Sequence, residues 1–177
     1  YGRIDLSSYV SVTEKKGLAL KEIFFQVREQ SSGKLPNTGC WDWMVADELA
    51  NLNGSQGALK VYATTRAYEN ASDVGIASPD VICLREYISQ TSPTDDGTGA
   101  ATATVGTSYA YTDRFYGPMD LHPDGYIVVS DLLIGVAADT WDANKDSTLE
   151  IDILMIAESV KVTQDRVNDM LTQSVDL

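Results

Sequence analysis

Short runs of β-branched and aromatic residues with a two-residue period, cut apart by clusters of Gly, Asp, Asn and Ser, are the feature that most restricts this chain. Successive side chains of a strand point to opposite faces, so such a period marks strands with one buried and one wet side. Ile23, Phe25 and Val27 alternate with Glu22, Gln26 and Arg28, and Leu59, Val61, Ala63 and Thr65 alternate with Lys60, Tyr62, Thr64 and Arg66. A weaker signal runs from Arg3 to Val12, and Val81 to Ile88 is a short apolar run after Pro79. Tyr109, Tyr111, Asp113 and Phe115 alternate with Ala110, Thr112 and Arg114 until Gly117-Pro118 stops the run. Tyr126 to Ala137 then reads as one strongly apolar strand, and Thr148 to Val162 as its complement, with Leu149, Ile151, Ile153, Met155 and Ala157 on one face. The polar stretch from Asp139 to Ser147 predicts that these two form an antiparallel hairpin.

Many short strands joined by turns predict an all-β sandwich or barrel. With 177 residues, 44% of them hydrophobic, the chain fills one core and is short for two, so a single domain over 1–177 is expected. A low-complexity span over 89–108 reads as a long surface loop whose Ala-Thr end is able to pair as an edge strand. Two short helices are expected. One covers Val45 to Asn53 before Gly54; the other is a C-terminal tail helix over 163–173, with Thr163 as N-cap, Asp165 in the first turn, and Val167, Met170 and Leu171 at i, i+3 and i+4.

The charge of −13, from 26 acidic against 13 basic residues, opposes direct contact with a nucleic-acid backbone. The one loose basic neighbourhood, Lys15, Lys16, Lys21 and Arg28, is interleaved with Glu14, Glu22 and Glu29 and reads as a solvated mixed-charge strand. Cys40 and Cys83 are too few for a disulfide scaffold or a four-cysteine zinc site; two buried free thiols are expected, although sequence leaves their pairing open. No run of about 20 apolar residues is present. The chain opens at Tyr1-Gly2-Arg3, without an initiator Met, which reads as a trimmed or processed start.

Few residues combine into chemistry. Asp142, Asn144, Asp146 and Glu150 space oxygen ligands as the start of a calcium loop does. Ser147 stands where such a loop needs Gly, and Ile153 where it needs a bidentate Glu, so turn chemistry explains the acids better. His122 is the sole histidine and lies in a kinked, Pro-rich loop, so any His-based catalysis or zinc chemistry has to pass through it; a dyad with Cys40 or Cys83 is one such arrangement, and the simpler role is a turn residue. Asp47-Glu48 and Asp95-Asp96 lack the apolar setting of a catalytic acid pair, and Gly97 and Gly99 lack the Lys-Ser/Thr ending of a phosphate loop. No catalytic residue and no cofactor is assigned. Trp41, Trp43 and Trp141 suit either a core and subunit interface or a stacking platform for sugars.

The last third carries a resemblance. Phe115-Tyr116-Gly117-Pro118-Met119-Asp120-Leu121, then Asp124-Gly125-Tyr126-Ile127-Val128-Val129-Ser130-Asp131-Leu132-Leu133-Ile134-Gly135-Val136, a polar loop, and Leu149 to Val162 resemble the closing strands of single jelly-roll coat proteins of icosahedral viruses. The resemblance implies a jelly-roll β-sandwich with a short C-terminal helix, residence in the virion, and self-assembly into an icosahedral shell with copies of itself and other capsid proteins. The expected assembly residues are Trp41, Trp43, Trp141, Val167, Met170 and Leu171. The basic arm by which many such proteins neutralise a genome is missing, which implies an underlying membrane or second protein layer. The competing expectation is a secreted carbohydrate-binding β-sandwich module that presents Trp141.

Overall fold

A computed structural model describes residues 1–29, 56–92, 108–139, 149–165 and 168. Its elements are β1 (Gly2–Ile4), β2 (Lys16–Glu29), β3 (Gln56–Thr64), β4 (Val81–Ser92), β5 (Ser108–Tyr116), the one-turn helix α1 (Pro118–Leu121), β6 (Tyr126–Val128), β7 (Leu132–Asp139) and β8 (Leu149–Lys161). The strands form two sheets, one ordered β1-β7-β3-β4-β5 and the other β6-β2-β8, and every pairing is antiparallel. The all-β expectation holds for these residues.

Both sheets feed one core. Leu18, Leu20, Ile23, Phe25 and Val27 of β2 meet Leu59, Val61 and Ala63 of β3, Cys83 and Tyr87 of β4, and Leu132 and Ile134 of β7, with Ile151, Ile153 and Met155 of β8 packed at its margin. Each fully buried Leu or Ile here contributes about 1.5–3 kcal/mol relative to exposure. The inward set on β2 changes parity between Leu20 and Ile23, and the β2–β8 register slips between Leu20 and Glu22. A bulge at Lys21 absorbs the odd residue, so both halves of a 14-residue strand keep their apolar side on the core. Lys21 leaves the ladder and donates from Nζ to the Asp124 carbonyl (2.5 Å). That carbonyl belongs to the Pro123-Asp124-Gly125 turn, where Gly125 has φ +86° and lies so close to the Leu20 carbonyl that a Cβ has no room.

The expected hairpin between Tyr126–Ala137 and Thr148–Val162 does not form. The apolar run is two strands: β6 pairs with β2, the chain bends over 129–131, and β7 joins the other sheet between β1 and β3. β8 pairs with β2, in the opposite sheet from β7. The reason is burial on both sides of the bend: Val128, Val129 and Leu132 are all buried, so the pattern stays apolar while the strand changes sheet. Asp131 holds the bend, accepting the Leu6 N–H at Oδ1 (3.3 Å) and pairing through Oδ2 with the Arg3 guanidinium, which ties β1 to the crossing.

Other boundaries move. The Arg3–Val12 signal yields only β1; β3 stops at Thr64; and β4 runs on to Ser92, so the first residues of the expected 89–108 loop are strand. The Pro-rich loop read around His122 opens with a helical turn, Pro118–Leu121, closed by the Gly117 N–H donating to Asp120 Oδ2 (2.8 Å). In the tail, Gln164, Asp165 and Asn168 are helical, and Gln164 Nε2 donates to Asn168 Oδ1 (3.2 Å), an i,i+4 pair; the rest of the expected 163–173 helix lies outside the described residues, Thr163 apart. The expected helix over Val45 to Asn53 lies outside the described residues.

The outer face of the five-stranded sheet is covered by residues 65–80. Tyr62, Val74, Val81 and Leu84 make a second small core there with Tyr68 and Tyr116. Lys60 Nζ donates to the carbonyls of Val74 (2.6 Å) and Ala71 (3.1 Å), Ser78 Oγ to that of Asp73 (2.7 Å), and Thr64 Oγ1 to that of Asp80 (2.8 Å). The segment is long, yet its backbone is braced at both ends and in the middle.

Candidate assembly surface

The register of β2 with β8 fixes the outer face of the three-stranded sheet. Its outward pairs run Gln26–Asp152, Phe24–Leu154 and Glu22–Ile156, then past the bulge Ala19–Glu158 and Gly17–Val160. A solvated sheet face ordinarily carries polar residues at these positions. Here Phe24 is 43% exposed, Leu154 59% and Ile156 45%, and the first two face each other directly across the ladder. Directly opposed side chains on one face of an antiparallel pair have Cβ atoms about 5 Å apart, so the three make one continuous apolar patch. Carboxylates rim it: Glu22, Asp152 and Glu158 are all exposed. Lys21, at the bulge beside Glu22, donates to the Asp124 carbonyl and lies 3.9 Å from Glu158. Further along, Arg28 stands in register with Glu150.

Large apolar side chains stand out elsewhere too. Ile76, at the tip of the braced 65–80 segment, is 82% exposed, and Phe115, Met119 and Leu121 are exposed where β5 runs into α1. These lie on different elements from Phe24 and Leu154.

Most residues singled out from sequence lie outside the described residues: Trp41, Trp43, Trp141, Val167, Met170, Leu171, Asp142, Asn144, Asp146 and Cys40. Glu150 falls on β8, opposite Arg28. Phe24, Leu154 and Ile156 were missed, though a signal existed, since each occupies the wet parity of its strand.

The described groups with chemistry are tied to structure. Cys83 is a buried free thiol whose Sγ lies 3.6 Å from the Ile23 carbonyl, and burial pushes its pKa up to about 12, the opposite of an activated nucleophile. His122 Nδ1 accepts the Asp124 N–H (3.2 Å), the turn role expected of it. A groove of about 360 Å³ opens beside residues 71–72, floored by Ala58 and Ala137 and bounded by Lys60 and Glu86 (3.6 Å apart). Lys60 spends its N–H groups on Ala71, Val74 and Glu86, so this pair fastens the covering segment to the sheet. Among the described residues no group of three or more His, Cys, Asp or Glu is placed to hold a metal ion. A scan of family models and searches of curated proteins and of solved structures found no match to this chain.

Proposed function

We propose that this chain is a structural, self-assembling subunit, a viral capsid protein of the single jelly-roll kind that contributes to an icosahedral shell. One observation carries the reading: large apolar side chains are exposed on separate parts of the surface, at Phe24–Leu154–Ile156, at Ile76, and at Phe115–Met119–Leu121. A module that binds one small ligand needs one such place, whereas a shell subunit touches several neighbours and needs several. Two of the three sit on hydrogen-bonded strands or on a braced segment, so they meet a partner with little ordering cost.

The strand pairing supports the jelly-roll part. β2 pairs with β8 in one sheet, and β3 with β7 in the other, so the pairs are nested in sequence. A ribbon of nested antiparallel pairs folded over from one sheet to the other is how a jelly roll wraps. β4, in contrast, lies beside β3 in the same sheet. The acidic balance suits a shell whose genome is screened by another layer.

Electron microscopy of the protein concentrated at high salt tests the proposal. Closed shells of uniform size are expected; dispersed single particles, or shapeless aggregates alone, contradict it.

A further inference from the structure

Residues 65–80 leave β3 and return to β4 through a closed neck. The Thr65 N–H donates to the Asp80 carbonyl (3.1 Å), Thr64 Oγ1 donates to the same carbonyl (2.8 Å), and Arg66 Nε lies 3.6 Å from Asp80 Oδ2. A loop whose ends meet and whose interior packs on itself can lift from a surface as a unit, without dragging along the strands that carry it. Here the interior is ordered: Ser78 Oγ accepts the Gly75 N–H (2.9 Å) and donates to the Asp73 carbonyl (2.7 Å), and the Val74 N–H donates to the Ala71 carbonyl (3.2 Å). The underside packs in a cluster separate from the main core, where Val74 meets Tyr62, Val81 and Leu84 with Tyr68 beside them.

Two side chains from outside the loop grip its backbone. Lys60 holds the Ala71 and Val74 carbonyls. Tyr1 holds both backbone groups of Tyr68: its hydroxyl donates to the Tyr68 carbonyl (3.3 Å) and accepts the Tyr68 N–H (3.0 Å), while also accepting the Tyr62 hydroxyl (2.8 Å). These supports are unequal. Lys60 sits on β3, which is paired on both sides, whereas Tyr1 leads directly into β1, a three-residue strand at the end of its sheet. Short terminal elements of a sheet open at low free-energy cost.

We infer that β1 is the latch of the 65–80 loop: the two dock and release together, coupled through the Tyr1 hydroxyl, and Ile76 is presented on a rigid tip only while β1 is docked. The coupling stands apart from what the protein does; its consequence for association rests on the shell-subunit reading, in which Ile76 meets a neighbour. Coupling between two places is reciprocal, so displacing β1 from β7 loosens the loop, and freeing the loop loosens β1.

Hydrogen exchange of the purified protein, resolved to single amides, is the test. Asp131→Ala frees β1 at a distance from the loop, since Asp131 holds Arg3 and the Leu6 N–H. Tyr1→Phe keeps the ring and removes the coupling hydroxyl. Each is expected to speed exchange at the Asp73, Val74 and Ser78 amides by about fivefold to tenfold, the loss of roughly one hydrogen bond, while β2 and β8 keep their protection, which also verifies that the variants fold. With Tyr1→Phe already in place, Asp131→Ala adds little more at those amides. Lys60→Met, acting from the loop side, speeds exchange at the Leu6 amide. Loop amides that exchange as in wild type once β1 is freed overturn the inference, and so does a full additional effect of Asp131→Ala on top of Tyr1→Phe. An equal rise in β2 and β8 overturns it too, because Tyr1 and Asp131 then serve global stability only. A protein with the predicted exchange pattern that never associates overturns the shell reading alone; one whose association needs Ile76, with loop exchange indifferent to β1, overturns this inference alone.

Discussion

Tyr62 lays its ring over Gly135, the residue directly opposite it on the neighbouring strand, in the space a Cβ at position 135 would occupy. From there its hydroxyl donates to the Tyr1 hydroxyl (2.8 Å), which also receives the Tyr68 N–H (3.0 Å), while the Tyr1 and Tyr62 rings meet edge to face at 5.8 Å. A missing side chain on β7 thus lets the N-terminus and the 65–80 segment close over the outer face of the sheet. Gly135→Ala forces the ring off this position, and overpacking of this kind costs about 1–3 kcal/mol. For a chain of this size that lowers Tm by roughly 2–4 °C per kcal/mol. Thermal unfolding of the variant indistinguishable from wild type would contradict this account of the pair.

Asp131 serves both strands at the sheet crossing, through Arg3 and the Leu6 N–H. The guanidinium is mostly exposed, so the ion pair itself is worth little; the backbone bond at a half-buried site matters more. Asp131→Ala is expected to lower global stability by about 1 kcal/mol and to release β1 locally. Hydrogen exchange should then rise at Ile4 and Leu6 well before it rises in β3, and uniform protection across the two strands would count against this role.

Burial raises the thiol of Cys83 and the phenol of Tyr116, each to about 12. Below about pH 8 both are mostly protonated, folded or unfolded. As pH rises, the unfolded chain ionises first, the thiol before the phenol, so stability is full below about pH 8 and declines between about 8 and 12. Tyr116→Phe removes one of the two groups and, with it, the bond from the Tyr116 hydroxyl to the Val81 carbonyl (3.3 Å). It should start about 1 kcal/mol lower at neutral pH and fall less steeply above pH 10. Urea unfolding midpoints measured from pH 7 to pH 11 check both statements; parallel curves refute them. The thiol is also expected to resist alkylation in the folded state at neutral pH.

Ile76 and Leu121 are exposed and make no described core contact. Ile76→Ser and Leu121→Ser should therefore leave Tm within about 1 °C of wild type while weakening self-association. A loss of stability with assembly intact would assign these residues to the fold instead.

Much of the strand content was legible because burial on one face imposes a period of two, as in Glu22-Ile23-Phe24-Phe25-Gln26-Val27. The sheet crossing was not. Val128, Val129 and Leu132 are buried on both sides of it, so hydrophobicity does not dip, and Ser130-Asp131 is the only polar mark in the run. The β2 bulge hid in the same way, since Leu18 and Leu20 share one parity and Ile23, Phe25 and Val27 the other. The apolar ladder was half legible: Phe24 breaks the polar series Glu22-Gln26, and Leu154 and Ile156 oppose Ile153 and Met155. Periodicity alone could not say that Phe24 and Leu154 stand opposite one another, because pairing between strands distant in sequence is set by tertiary register. Tryptophans drew attention through residue type, whereas the exposed patch is built from ordinary aliphatics at the wrong parity.

The most direct test of the self-assembly reading is the molar mass of the purified protein across salt concentration, by light scattering behind a sizing column. At low salt a charge of −13 keeps copies apart; screening shortens the reach of that repulsion from about 10 Å at 0.1 M to about 3 Å at 1 M. The account predicts a mass that rises steeply with salt to large, defined assemblies. A monomer at every salt concentration would contradict it.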